Sequence, residues 1–527
     1  MTRAKSIRVA GRHLDRWTVG LALLGFFCLT VSLRWWLIGR YGNPVPFWDQ
    51  WDAEAVRLYQ PFVSGRLTWA EMLAPHNEHR IFTTRLLALG LFVLNGAWNP
   101  LLEMAVNAIL LAGTLVMLSG FLAKSLKSGS RIAICGFLLA LYAVPYASEN
   151  TLAGFQAQFY FNLLFSFLAL WLLTTRAAFS AGWLGGVFAS AAAYFSLASG
   201  IFALAAAVPI MVLQATGSFL RARRQPPHET NDATPEPDPR LCLRLLAIVL
   251  LSILFVAGYF YTPQLASHAD LKAHSLTEFV SALLRELAWP HVVRLRHILL
   301  MNLPLLLMCV MVCQPRARPI SRGTWFLLAL MAWVAGQMVT LAYGRAATVL
   351  APRYLDLLSI SVVLNFTCLL WCAQAMQAKP RKGAYVVCFL WVCYVAFGIY
   401  QGRHEIGNSV LDKQRYSILE QANVSGYLTT GDRGYLYDKP LMDIPYPDPG
   451  RLQMLLDEPG IRKLLPAAVL PPLEAQLHSG VLDDSLLWML AHSWLVAVLG
   501  ASALAWSCVL WMRNRTVRGS RPLTQEM

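Results

Sequence analysis

The chain has 527 residues, of which 57% are hydrophobic and only 14% are charged, and its mean hydropathy is +0.48. This composition excludes an ordinary soluble domain, because the apolar residues stand in long runs rather than on one face of each element. The net charge of +15 could suggest nucleic-acid binding. However, the basic clusters recur at alternate ends of the apolar runs, which is typical of membrane topology, and we expect no nucleic-acid partner.

Long apolar runs predict an all-α, polytopic membrane protein, a helical bundle with about twelve transmembrane helices, because roughly 17 to 25 apolar residues span the hydrocarbon core. The basic clusters favour a multi-pass protein of the inner or plasma membrane, with both termini in the cytoplasm. The stretch at 81–97 is short and ends in Asn95-Gly96, so we expect a juxtamembrane helix there. The predicted spans are 17–38, 100–123, 132–147, 157–175, 180–197, 200–219, 241–261, 297–313, 324–342, 355–376, 384–400 and 485–511.

The polar segments divide between two sides of the membrane. A first outer loop at 39–99 and an outer soluble segment at 401–484 are the longest on the outer side, and for the second we expect a small α/β or irregular cap. The cytoplasmic linker at 221–240 is rich in Pro and charged residues and cannot bury a core. We therefore divide the chain into a transmembrane domain at 1–400, the outer segment, and a final helix with a cytoplasmic tail at 485–527.

Two carboxylates follow the first span, in Pro46-Phe47-Trp48-Asp49-Gln50-Trp51-Asp52. Carboxylates are costly beside lipid and usually serve a function there, and tryptophans favour the membrane–water boundary. In a helix, Asp49 and Asp52 would share a face. One could act as a general base while the other orients it or binds a divalent cation, and we favour Asp49 as the base because it lies nearer the lipid surface. The alternative for Asp49 is helix capping.

A second polar cluster in the same loop is His76-Asn77-Glu78-His79-Arg80. Its spacing does not match a zinc motif and no third ligand stands nearby, so we predict no metal site. We expect His76, Glu78, His79 and Arg80 to bind a phosphate or sugar, or to pair with the aspartates. The alternative is that Glu78 and Arg80 cap or pair where the chain re-enters the membrane.

Two late arginines stand on the predicted outer side, against the positive-inside trend: Arg345, and Arg353 in Arg353-Tyr354. A planar guanidinium suits phosphate, so both are candidate anion ligands. The alternative is an ordinary arginine whose charged end reaches the headgroup layer.

These features together resemble the GT-C class of integral-membrane glycosyltransferases. The resemblance rests on the acidic first loop with Asp49 and Asp52, the juxtamembrane helix at 81–97, and Arg353-Tyr354 before a late helix. It implies a polyprenyl-phosphate-linked sugar donor and an envelope glycan, lipid or protein acceptor. It also implies that a first-loop aspartate is the base and that Arg353 or Arg345 binds the donor phosphate, with Tyr354 beside it.

Two other functions stay open. A polymerase or ligase of lipid-linked glycans would use the same outer site with a larger donor. A transporter or flippase is less favoured, because its ionisable residues should lie near the middle of the spans, where this sequence has almost none. We expect no cofactor for the transferase, although the aspartate pair could hold a divalent cation.

Overall fold

The computed structural model describes residues 2–127, 130–224, 239–314, 320–376, 378–476 and 478–519. Most of the predicted linker at 221–240 and the end of the tail lie outside these residues. The α-helices are α1 (Thr2–Tyr41), α2 (Gln60–Val63), α3 (Trp69–Leu73), α4 (Phe82–Asn95), α5 (Pro100–Leu122), α6 (Ser130–Ala143), α7 (Ser148–Thr151), α8 (Ala157–Thr175), α9 (Ala181–Tyr194), α10 (Phe202–Arg224), α11 (Pro239–Tyr261), α12 (Leu276–Ala288), α13 (Leu295–Cys313), α14 (Arg322–Gly344), α15 (Pro352–Ala375), α16 (Ala378–Gln401), α17 (Arg403–Thr430), α18 (Pro449–Asp457), α19 (Pro459–Arg462), α20 (Pro472–Ala475), α21 (Asp483–Ala491) and α22 (Ser493–Gly519).

The other helical elements are shorter or wound differently. A π-helix covers Trp51–Tyr59 and leads directly into α2. Short 3₁₀ helices cover Ala123–Ser125, Gly154–Gln156, Ala198–Ile201, Ala266–Leu271, Ala346–Thr348, Arg433–Tyr435 and Ala467–Val469. Within the described residues the only β-type pairing is a single bridge between His76 and His79.

Ten of the described helices are long and apolar enough to cross a membrane: α1, α5, α8, α10, α11, α13, α14, α15, α16 and α22. The predicted all-α, multi-pass membrane fold is therefore confirmed, and ten of the about twelve predicted spans are helices of full crossing length. The predicted spans at 132–147 and 180–197 are the 14-residue helices α6 and α9, each about 21 Å long. The juxtamembrane helix is α4, also of 14 residues, which ends where Gly96 adopts a left-handed φ of 74°.

The short helix α6 still runs between the same two ends of the bundle as its long neighbours. At one end the Ser130 hydroxyl accepts a hydrogen bond from Gln374, in the last turn of α15. At the other end the Tyr142 hydroxyl donates to the carbonyl oxygen of Asp356, in the first turns of α15, at 3.0 Å. The helix α9 packs along α8, and the turn that follows it contacts the first loop, where the Thr83 hydroxyl donates a hydrogen bond to Ser196. Length alone therefore underestimates how many helices connect the two ends.

Among the described residues, the long loops gather at one end of this bundle, which we call the loop end. Hydrogen bonds join the first loop to the segment after α17, to the turn after α9 and to the loop after α14. The opposite end carries basic residues, including Lys124, Lys127 and Arg244. The site residues predicted from the sequence therefore lie on one face of the membrane domain.

The first loop and the segment at 401–484 share a hydrophobic core, separate from the core of the bundle. Trp51, Tyr59 and Trp98 are fully buried in it, together with Val424 and Leu452 from the later segment. The described part of this cap consists of helices and turns, so the expected α/β alternative is wrong. Because the two segments bury one core, the cap fixes the position of the first loop over the bundle.

The first and last long helices, α1 and α22, cross at small residues. A Cβ added to Gly25 would lie 2.6 Å from Leu504 Cγ and 2.7 Å from the carbonyl oxygen of Gly500. We expect Gly25→Leu to weaken this crossing and to lower the free energy of unfolding by about 1–3 kcal/mol, since an overpacked interface must shift apart. Thermal unfolding of the protein in detergent would measure the change.

Gly20 provides the matched control on the same helix, because nothing lies within 4 Å of its added Cβ. Gly20→Leu should leave the unfolding temperature unchanged or raise it, because leucine favours the helical state over glycine. Equal losses in the two variants would show that the close crossing does not contribute to stability.

Candidate functional site

Asp49 stands at the loop end, directly after a strained residue. Trp48 has a positive φ of 49°, which is uncommon for a bulky side chain, and its amide N–H donates to Pro445 O at 2.8 Å. The cap therefore holds the turn that presents Asp49. The Asp49 side chain is 48% exposed, and its Oδ1 lies 3.3 Å from Nε2 of the largely buried His76. This carboxylate is open to a substrate on one side and has a single ionic partner on the other.

The His76–Arg80 motif forms a tight turn that brings both histidines to this site. The backbone N–H groups and carbonyl oxygens of His76 and His79 exchange two hydrogen bonds, at 2.8 and 3.0 Å, while Asn77 adopts a φ of 52°. The ring of Phe155 packs edge-on against His76 at 5.5 Å. Burial lowers the pKa of His79 to about 4, so its imidazole is neutral at pH 7.

Glu78, at the tip of that turn, ties two distant loops to the first loop. It accepts hydrogen bonds from Arg345 at 3.1 Å and from His268 at 2.6 Å. Burial alone would raise the pKa of Glu78, but the charges of Arg345 and His268 hold it below its ordinary value. Arg345 is thus brought to the first loop, where its ionic partner is Glu78. His268, from the loop between α11 and α12, belongs to the same cluster.

Arg353 lies at the start of α15. Its guanidinium is 39% exposed, lies 3.4 Å from Oε2 of Glu149, and sits 5.4 Å from the ring centroid of Tyr354. Asp49 is within electrostatic range of Arg353 and of His79. The predicted acid of the first loop and the predicted cations Arg345 and Arg353, which flank the connection between α14 and α15, therefore belong to one electrostatic cluster.

Arg80 is the predicted site residue whose contacts are structural. Its guanidinium stacks over the ring of Tyr261 at 3.9 Å and donates to Leu73 O at 3.0 Å. These contacts join the first loop to the end of α11. They correspond to the alternative in which Arg80 pairs where the chain re-enters the membrane, although its partner is an aromatic ring rather than Glu78.

Asp52 faces the cap rather than the open side of the site. Its two oxygens accept hydrogen bonds from Tyr446 and, at 2.8 Å, from Arg451. Burial alone would raise the pKa of Asp52, but these two hydrogen bonds outweigh it and keep the pKa below its ordinary value. With both oxygens engaged, Asp52 anchors the π-helix to the cap, and Asp49 is the freer of the two carboxylates. π-Helical turns are frequent at functional sites.

A buried polar cluster that sequence reasoning missed lies beneath the π-helix. The Gln50 amide donates to Glu54 and to Glu103, at 2.9 Å each, and Tyr59 donates to Glu103 at 3.1 Å. Burial, followed by the charge of Glu103, raises the pKa of Glu54 well above its ordinary value. A Cβ on Gly154 would lie 2.3 Å from Glu103, so only glycine leaves room there. The sequence signal for this cluster was Glu103, an acidic residue in the first turn of the span α5.

A second missed feature is an ion pair inside the bundle. Arg34 and Asp356 lie 3.8 Å apart and are almost fully buried. Asp356 also accepts hydrogen bonds from Asn150 and Tyr160, at 3.1 and 3.2 Å. The spans are therefore less free of ionisable residues than the sequence suggested, but these charges lie toward the loop end of the spans, not at their middle.

Within the described residues, no group of three or more His, Cys, Asp or Glu side chains is arranged to hold a metal ion. No protein-family model matches this chain, and no curated protein matches it in sequence. The structure by itself establishes an all-α, multi-pass membrane protein with a polar site at one end of its bundle.

The depressed pKa of His79 gives a testable pH dependence. Unfolded histidine binds a proton below about pH 6.5, whereas folded His79 does so only below about pH 4. Between these values the unfolded state holds more protons, so the free energy of unfolding should fall as the pH falls from 6.5 to 4. Unfolding temperatures measured across this range in detergent would show the decline.

In His79→Gln this part of the decline should disappear, because the glutamine cannot titrate yet can still accept the Ala198 N–H that His79 Nδ1 accepts at 3.4 Å. An equally steep decline in both proteins would assign the pH dependence to other groups.

Proposed function

We propose that this protein is a membrane glycosyltransferase that moves a sugar from a polyprenyl-phosphate carrier to a cell-envelope glycan, lipid or protein. The observation that carries the proposal is the half-exposed carboxylate of Asp49, 3.3 Å from His76 and within electrostatic range of Arg353. A base and a cation in one electrostatic cluster support the proposal, because transfer from a phosphate to a hydroxyl requires both.

In the proposed reaction, Asp49 removes the proton of an acceptor hydroxyl while that oxygen attacks the anomeric carbon of the sugar. The bond between the anomeric carbon and the phosphate oxygen breaks, and polyprenyl phosphate leaves with the bonding electrons. Arg353 stabilises the negative charge that develops on the phosphate, because its guanidinium is a fixed donor in a partly dehydrated site. Attack opposite the leaving group inverts the configuration of the sugar.

The neighbouring residues position these two groups. His76 orients the Asp49 carboxylate and stabilises its charge when protonated. Glu78 holds Arg345 and His268 against the first loop, and Asp52 fixes the π-helix to the cap. We place this site on the outer face of the inner or plasma membrane and both termini in the cytoplasm, since the opposite end of the bundle carries the basic residues.

Reconstitution tests this function directly. The full chain in liposomes is supplied with a panel of radiolabelled polyprenyl-phosphate hexoses and pentoses together with an envelope glycan fraction, with and without a chelator. We expect label to move from the lipid to the acceptor. A larger transferred unit would indicate the polymerase or ligase alternative. Movement of the labelled lipid across the bilayer without a new glycosidic bond would contradict the proposal and favour a flippase.

A further inference from the structure

A half-enclosed cavity of about 500 Å³ opens at the loop end, between the turn after α12, the start of α15 and the junction of α16 with α17. Its volume is within the range of small-molecule sites. Apolar side chains and two aromatic rings, Tyr146 and Trp289, form much of its wall. Polar side chains that include Arg285, Gln401 and Glu405 also line it, and the last two are exposed at its rim.

The inner wall carries two buried polar groups, His291 and Tyr146, whose nearest polar neighbours are Gln401 and the Tyr394 backbone for the first and Ser359 for the second. His291 is 6% exposed, and neither of its ring nitrogens makes a hydrogen bond of normal geometry with the described residues. The hydroxyl of Tyr146, which is 2% exposed, is in the same state. Buried polar groups normally make hydrogen bonds of good geometry, so His291 and Tyr146 retain hydrogen-bonding capacity that a ligand in the cavity can use. Burial lowers the pKa of His291, and a neutral imidazole offers one donor and one acceptor, as a hydroxyl does.

The cavity adjoins the proposed transfer site. Pro352 lines it and directly precedes Arg353. Ser409 lines it as well, and its hydroxyl oxygen lies 2.6 Å from that of Ser148, whose neighbour Glu149 pairs with Arg353. A molecule in the cavity would therefore lie beside the cation that we assign to the donor phosphate.

We infer that this cavity binds the acceptor and that the part of the acceptor bound there is a carbohydrate. This inference rests on the proposed glycosyl transfer. A sugar ring combines apolar C–H faces, which pack on aromatic rings such as Trp289, with hydroxyls that pair with His291 and Glu405. A prenyl chain would fill the apolar wall but would offer no hydrogen-bonding group to the polar side chains of His291, Arg285 and Glu405.

Binding can be measured without any transfer. The full chain in nanodiscs is titrated by calorimetry with methyl glycosides of several hexoses and pentoses. We expect at least one to bind, Glu405→Ala to weaken its binding about tenfold, as for the loss of one hydrogen bond to a charged group, and His291→Phe to weaken it similarly. Asp412→Ala is the matched control, because Asp412 is an exposed acid of the same helix that does not line the cavity.

The outcomes separate this inference from the proposed function. Glycoside binding without any transfer activity would overturn the transferase but keep a carbohydrate site. Transfer with an acceptor KM unchanged in Glu405→Ala and His291→Phe would overturn the acceptor cavity but keep the transferase. Displacement of bound glycoside by polyprenyl phosphate alone, or no glycoside binding at all, would also overturn the inference. Glu405 lies on the exposed rim, so its variant tests the cavity even if His291→Phe does not fold.

Discussion

Replacing Asp49 with asparagine should reduce sugar transfer by about 10²- to 10⁴-fold, the usual contribution of a positioned general base. Asparagine keeps the shape of the side chain but cannot take the proton of the acceptor hydroxyl. The Asp49 side chain is half exposed and, within the described residues, His76 is its one ion-pair partner, so its loss should not disturb folding. Initial rates of transfer in liposomes, normalised to inserted protein, would measure the effect.

Two variants serve as controls for this result. Asp270→Asn removes an exposed acid from another loop of the same end and should leave the rate unchanged. Asp52→Asn should lower the unfolding temperature, because it weakens the bonds to Tyr446 and Arg451, and should slow transfer less than Asp49→Asn. Full activity of Asp49→Asn would exclude this residue as the base.

Removing the positive charge of Arg34 should have the largest effect on stability. Arg34→Met leaves Asp356 as a buried charge without its ionic partner, and breaking a buried pair in this way costs about 3–5 kcal/mol. The guanidinium also donates to Tyr142 O at 3.1 Å, so α1 would lose a link to α6. We expect less folded protein after extraction and a lower unfolding temperature in detergent.

The double variant Arg34→Met, Asp356→Asn should recover much of this loss, because it removes the unpaired charge together with its partner. Arg40→Met is the matched control, since Arg40 is an exposed arginine of the same helix. If the single and double variants were equally unstable, the loss would come from packing and not from charge.

The long apolar runs were sufficient to predict the architecture, because in lipid a helix must satisfy its own backbone and its length must match the bilayer. The same criterion overestimated the lengths of α6 and α9, which have 14 residues each. Their apolar runs extend past the last helical turn, into Val144 and Phe195, which are partly buried beside other helices rather than in helices of their own. Apolar residues occur both in membrane-spanning helices and in buried turns, so the end of an apolar run does not locate the end of a helix.

The candidate site was predictable only in part. Three site residues could be chosen from the sequence: Asp49, because a carboxylate is costly beside lipid, and Arg345 and Arg353, because the positive-inside rule disfavours arginine on the outer side. Their partners could not be chosen, since Arg345 and Glu78 are 267 positions apart and Arg353 and Glu149 are 204 apart. The sequence likewise could not show that Asp52 is hydrogen-bonded while Asp49 is more open. That difference depends on Tyr446 and Arg451, which lie almost 400 positions from Asp52.

The close crossing of α1 and α22 also has a consequence for how the protein is made. The face of α1 around Gly25 is shaped for Gly500 and Leu504, and neither residue exists until nearly all of the chain has been synthesised. During translation that face must contact lipid or a membrane chaperone, and the bundle closes only when the last helix enters the bilayer. A ribosome that stops before residue 500 therefore releases a chain whose first helix lacks the partner against which Gly25 packs.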